Sequence, residues 1–286
     1  MVSVKRSEEL ISGSSGNIHC YFWIGRNKPN RVIILLHGLL MHGNVFETIA
    51  THLAKQDAFV VAPDLRGFGR TYFGAVDKRS IDYGGSLRDV SELVYWLHGK
   101  HPQLPMVLIG ESLGAHLARN LAANCADVID GVVLSNPCMK PRVISFDLVP
   151  AVLGQIAQVG LNQRLEADLT PFARKFLIDE PDNLKHYLDD PMCRKTIDVL
   201  ELIESMLILG TIRPQSLPNN MSLLVYRGKN DGVCKSSSYN QFMSSLTSNN
   251  MTVVECQSCA HLILQSKKLC PDILKALDSW LETLTS

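Results

Sequence analysis

The sequence predicts an α/β protein: a mostly parallel central sheet flanked by helices on both faces, with a helical cap inserted into it. Three observations carry this expectation. Short apolar runs alternate with longer helical patterns along most of the chain. Several runs are apolar throughout, as strands buried on both faces of a sheet must be. The alternation stops between Pro137 and Pro218 and resumes afterwards.

The expected strands cover 18–24, 32–36, 58–62, 106–109, 132–135, 223–226 and 252–255, with helices over 82–98 and 113–124 between them. Right-handed crossovers then place the loops that follow the strands along one sheet edge, where sites form in such folds. In the interruption, Val149, Val152, Leu153 and Ile156, and later Leu200, Ile203, Met206 and Leu207, recur near helical spacing. The expected organisation is therefore a core of residues 1–137 and 219–286 and a helical cap of 138–218. Pro137, Pro141, Pro214 and Pro218 mark the hinges.

Length and charge narrow the function classes. The 286 residues fit one catalytic domain with an insertion. Lys plus Arg equals Asp plus Glu, 28 against 28, which excludes the basic footprint of a nucleic-acid binder. The first ten residues carry Lys5, Arg6, Glu8 and Glu9 and no apolar core, so no secretory signal is expected. No uninterrupted apolar stretch reaches the ~18 residues of a membrane span. The greasiest one, 143–161, is broken by Asp147, Pro150 and Gly154. The expectation is a cytoplasmic protein whose eight scattered cysteines are reduced thiols. Cys256 and Cys259 form a C-x-x-C with no second pair to complete four zinc ligands, so no metal and no cofactor are expected.

The chemistry is written at Gly110-Glu111-Ser112-Leu113-Gly114, after a strand and before a helix. In that context G-x-S-x-G is a nucleophile elbow, with the serine hydroxyl thrust out at a helix N-terminus. A serine needs a base, oriented by a carboxylate that follows it in the chain. His186 lies in a polar segment of the cap and reads as a surface residue. His261 follows the last strand and precedes an apolar helix, which is the place for the base. The strand 223–226 ends in Arg227-Gly228-Lys229-Asn230-Asp231-Gly232, and Asp231 there is the expected orienting acid. The oxyanion donors are expected to be the backbone N–H groups of Leu113 and of Leu39, in the loop after strand 32–36. His37 is expected to hold that loop. Asp64 and Arg66, in Pro63-Asp64-Leu65-Arg66-Gly67-Phe68-Gly69, are expected to form a charged structural turn.

Together these pieces resemble the α/β-hydrolase superfamily, from about Gly16 to the C-terminus. Within it the chain looks most like the monoacylglycerol lipase and lysophospholipase branch, the serine aminopeptidase-like hydrolases, whose cap has an Asp-Asp-Pro element like Asp189-Asp190-Pro191. The resemblance implies hydrolysis of a monoacylglycerol, lysophospholipid or similar acyl ester through an acyl-serine intermediate. It implies a small-molecule lipid partner and leaves open transient membrane-surface contact through the cap. Thioester hydrolysis, carbon–carbon bond hydrolysis and perhydrolysis on the same three residues stay open, as does a binding protein without turnover.

Overall fold

The computed structural model describes residues 3–74, 80–137, 166–177, 181–211 and 217–284. Eight strands form one sheet in the order β1-β2-β4-β3-β5-β6-β9-β10. They are β1 (Lys5–Gly13), β2 (Gly16–Ile24), β3 (Arg31–Leu36), β4 (Ala58–Pro63), β5 (Met106–Glu111), β6 (Gly131–Ser135), β9 (Ser222–Gly228) and β10 (Met251–Cys256). β1 and β2 form an antiparallel hairpin and β2 runs antiparallel to β4; every later pairing is parallel.

All seven expected strands form, each within a few residues of its expected bounds. β1 is additional. Ile11 is its one buried hydrophobic residue, and charged side chains fill its outer edge, so it carries no apolar run for pattern reading to find.

The central strands alternate their side chains between two cores. Val32, Ile34 and Leu36 of β3 face one, with α3 (Tyr83–Lys100), which follows the single turn α2 (Arg70–Phe73), and α4 (Leu113–Asn124) packed over it through Val90, Leu93, Leu117 and Leu121. Ile33 and Leu35 face the other, covered by α1 (Glu47–Lys55) and by the last helix, Pro271–Glu282, through Ile49, Leu53, Ile273 and Leu277. Burial on both faces explains why these strands read as continuous apolar runs.

Two expectations need correction. No helix begins directly after His261: residues 262–270 are irregular and the helix starts at Pro271. The N–H groups of Ile263, Leu264 and Gln265 converge on the Glu111 carboxylate, and Cys270 is extended before Pro271, which disfavours helical backbone in the residue ahead of it and suits the first helical position. The region expected to be helices and loops without a strong strand also contains a short antiparallel ribbon, β7 (Glu166–Asp168) against β8 (Thr196–Asp198). It is three residues long and mostly polar, too short for a periodic signal.

Of the proposed cap, residues 138–165 lie outside the described residues, and with them the pattern at Val149, Val152, Leu153 and Ile156. The described part includes the helices Pro181–Asp189 and Val199–Thr211. It seats on the core through Arg194, which is buried. The Arg194 N–H donates to the Leu40 carbonyl (2.8 Å), and its guanidinium reaches the Gly67 carbonyl (3.0 Å) and Glu201 (2.7 Å). His42 pairs with Asp190, from the Asp-Asp-Pro element, at 3.0 Å.

Candidate active site

The elbow forms where β5 meets α4. Ser112 has φ +58° and ψ −116°, a conformation that residues with a side chain seldom adopt. Its two glycines are demanded by packing. A Cβ on Gly110 would lie 2.1 Å from the Gly114 carbonyl oxygen, and one on Gly114 would lie 2.0 Å from that of Leu36. Only glycines let β5, α4 and β3 close this tightly. The serine is left partly exposed at the sheet edge.

His261 and Asp231 arrive from the turns after β10 and β9. His261 Nε2 lies 2.7 Å from Ser112 Oγ. Its Nδ1 lies 2.9 and 3.0 Å from the two oxygens of Asp231. In the neutral form of the ring those partners place the proton on Nδ1, since a carboxylate can only accept, leaving Nε2 to accept from the serine hydroxyl. Burial pushes the Asp231 carboxyl up. The attraction of His261, its hydrogen bond, and the N–H groups of Cys234 and Val233 outweigh burial and hold the carboxyl below the usual carboxylate range.

Leu113 opens α4. Leu39 lies in the loop after β3, where a Cβ on Gly38 would stand 3.5 Å from the Ser112 Cβ. Neither Leu39 nor Leu113 donates its N–H to an acceptor among the described residues. His37 holds the loop. Its Nδ1 donates to the Gly38 carbonyl (2.8 Å) and its Nε2 accepts the Leu65 N–H (3.1 Å). Full burial drives its pKa down to about 3, so the ring stays neutral. His186 is exposed on the helix Pro181–Asp189. Asp64 accepts the N–H groups of Gly43 and Arg70, and Arg66 pairs with Asp82 and Asp89, both structural arrangements.

Sequence reading missed two residues that hold this geometry. Glu111, the variable position before the serine, is fully buried. Its carboxylate accepts from Ser135 Oγ (2.8 Å) and from the N–H groups of Ile263 (2.7 Å), Leu264 (2.8 Å) and Gln265 (3.1 Å). Burial raises its pKa, against the opposing pull of those donors and of His261. Asn136, just past β6, has φ +41°. Its Nδ2 donates to the carbonyls of Ala260 and His261, both at 2.8 Å, and its Oδ1 accepts the Gly228 N–H at 2.8 Å. A carboxylate interrupting a buried strand was the one signal available for Glu111. Asn136 offered none beyond lying at a strand end.

Two groups of ligand-type side chains gather among the described residues, His42 with Asp190 and Cys193, and Cys256 with Cys259 and Cys270. The expectation of reduced thiols fails at the second: Cys256 and Cys259 are joined by a disulfide. The three-residue spacing folds back so that their Cα atoms lie 5.3 Å apart, within bridging range.

Among known proteins, residues 27–268 match the model of the family described as serine aminopeptidase, S33. A monoacylglycerol lipase of Mycolicibacterium smegmatis is 27% identical over 239 residues, covering 81% of each chain. The monoglyceride lipase of Homo sapiens is 23% identical over 258 residues, covering 89% of this chain and 82% of that one. A soluble variant of the monoglyceride lipase from Saccharomyces cerevisiae, solved with a substrate analog, superposes with a TM-score of 0.82 at 16% identity, over 99% of this chain and 96% of that one. With a family match across most of its length and this sheet beneath its site, the chain belongs to the serine aminopeptidase S33 family of α/β-hydrolases.

Proposed function

We propose that the protein is a serine hydrolase that cleaves a carboxylic ester, a monoacylglycerol or similar monoacyl lipid, through an acyl-serine intermediate. The observation that carries the reading is the continuous hydrogen-bond chain Ser112 Oγ, His261 Nε2, His261 Nδ1, Asp231. The substrate class is supported by the monoglyceride lipases among the relatives.

In this mechanism His261 takes the Ser112 proton as Oγ attacks the ester carbonyl. Asp231 fixes the ring and stabilises the imidazolium. The N–H groups of Leu39 and Leu113 receive the oxyanion, each such donor being worth about 3 kcal/mol in the barrier. His261 then protonates the departing alcohol, and a water, deprotonated by the same ring, releases the acid. In this reading the cap lines the acyl pocket. It also meets the lipid surface where Leu200 and Leu207 stand exposed on the helix Val199–Thr211.

Ser112→Ala tests it. Hydrolysis of a monoacylglycerol series should fall by roughly 10⁶, and labelling by a fluorophosphonate probe should vanish while the fold is kept. Undiminished turnover in this variant rejects the mechanism.

A further inference from the structure

The mechanism leaves a cluster of three sulfurs unused. Cys256 is buried, and Cys259 and Cys270 are partly buried. Cys270 is a free thiol at the N-cap of the helix Pro271–Glu282, and its sulfur lies within 4.8 Å of both bridged sulfurs. The cluster stands at the loop that runs from β10 directly into His261.

That loop is also the bed of the Asp231 turn. The Lys229 N–H donates to the Cys256 carbonyl (3.0 Å) and the Asn230 N–H to the Cys259 carbonyl (3.1 Å). The packing is close: a Cβ on Gly228 would lie 2.2 Å from the Ala260 oxygen and 2.5 Å from the Cys259 oxygen. The bridge therefore ties together the two carbonyls that accept the backbone N–H groups of Lys229 and Asn230, ahead of the acid, and it ends two residues before the base.

We propose that Cys256, Cys259 and Cys270 form a thiol–disulfide exchange site, at which a low-molecular-weight thiol/disulfide couple sets how firmly Asp231 and His261 are held. Oxidation is balanced by the couple. Two protein thiols and one small disulfide pass through a mixed disulfide to the protein bridge and two small thiols, which carry away both electrons and both protons. Reduction is the reverse. Within the cluster, the Cys270 thiolate attacks a bridged sulfur and forms a new S–S bond. The displaced sulfur leaves as thiolate and takes up the proton Cys270 lost, so this step needs no oxidant. A bridge moved to Cys259 and Cys270 encloses His261. The control of turnover rests on the hydrolase reading above; the exchange chemistry does not.

The test equilibrates the full chain with reduced or oxidised glutathione, then alkylates it and maps thiols by mass spectrometry. In the oxidised buffer Cys256 and Cys259 should be protected. In the reduced buffer they should alkylate, and amide exchange at 228–231 should quicken. Fluorophosphonate labelling should slow by about tenfold, short of the ~100-fold that a 1 Å misplacement can cost, and should recover on reoxidation. In Cys256→Ser, oxidation should trap a Cys259–Cys270 bridge. Free alkylation of Cys256 and Cys259 in every buffer, or identical amide exchange in bridged and reduced protein, overturns the proposal. A reversible bridge with altered amide exchange but no probe labelling in either state supports the exchange site and rejects the hydrolase reading instead.

Discussion

Glu111 gives the sharpest test of how the site is held, because its contacts allow the outcome to be worked out donor by donor. Its Oε1 accepts three hydrogen bonds, from Ser135 Oγ and the N–H groups of Ile263 and Leu264, and its Oε2 accepts the Gln265 N–H. In Glu111→Gln the amide oxygen can keep the three, but the NH₂ then faces the Gln265 N–H, donor to donor. One buried donor loses its acceptor, at about 1–3 kcal/mol, and the other three lose their charged partner. In Glu111→Ala all four donors are stranded, and at the same ~1–3 kcal/mol each the loss approaches the whole ~5–15 kcal/mol stability of a domain. Urea unfolding followed by circular dichroism should therefore rank wild type above Glu111→Gln by about 2–3 kcal/mol. A fall in Tm of roughly 5 °C accompanies this, and Glu111→Ala should be barely folded. Since the donors 263–265 directly follow His261, Glu111→Gln should also slow probe labelling while leaving KM for an ester nearly unchanged. If Glu111→Ala unfolds within 1 kcal/mol of wild type, the assignment of this carboxylate as the clamp between elbow and histidine loop is wrong.

Asn136→Ala removes two donors and one acceptor that join the acid and base loops. It should lower kcat severalfold more than it changes KM in steady-state ester hydrolysis, and equal effects on both would refute a positioning role. His37 is neutral in the fold, with a pKa near 3 against 6.5 unfolded. The unfolded chain therefore binds the extra proton as pH falls below about 6.5, and stability should drop by about 1.4 kcal/mol per pH unit down to about pH 3 from this group. A His37→Asn variant, less stable at neutral pH, should lose that part of the slope in denaturant titrations across pH; an unchanged slope sinks the argument. Gly114→Ala places a Cβ 2.0 Å from the Leu36 carbonyl oxygen. It should yield little soluble folded protein, and normal expression with wild-type Tm would contradict the packing account.

The layout of the sheet was legible because its central strands are buried on both faces and their sequences are apolar without interruption. The elbow was legible because its five residues stand together in the chain between a strand and a helix, although Gly114 is demanded by the Leu36 carbonyl of a distant strand as well as by the turn. His37 was readable as a structural residue because it precedes the serine in a fold whose base follows it. What stayed hidden depends on contacts between segments far apart in the chain. Glu111 reaches residues 152 to 154 positions away, and Asn136 bridges segments that lie 92 and 125 positions off. No periodicity records such a partner. The helix expected directly after His261 starts later because Pro271 disfavours helical backbone at Cys270 and itself opens the helix, while the long-range contact of residues 263–265 with Glu111 holds the segment before it. The bridge at Cys256 and Cys259 was misjudged because composition speaks for a compartment, whereas the turn brings these two sulfurs together. By itself the sequence determined which residue types the site uses and in what order they occur along the chain. Folding decided their distances, their protonation, and which buried groups keep them in place, because those follow from desolvation and hydrogen bonding that exist only once the strands have closed.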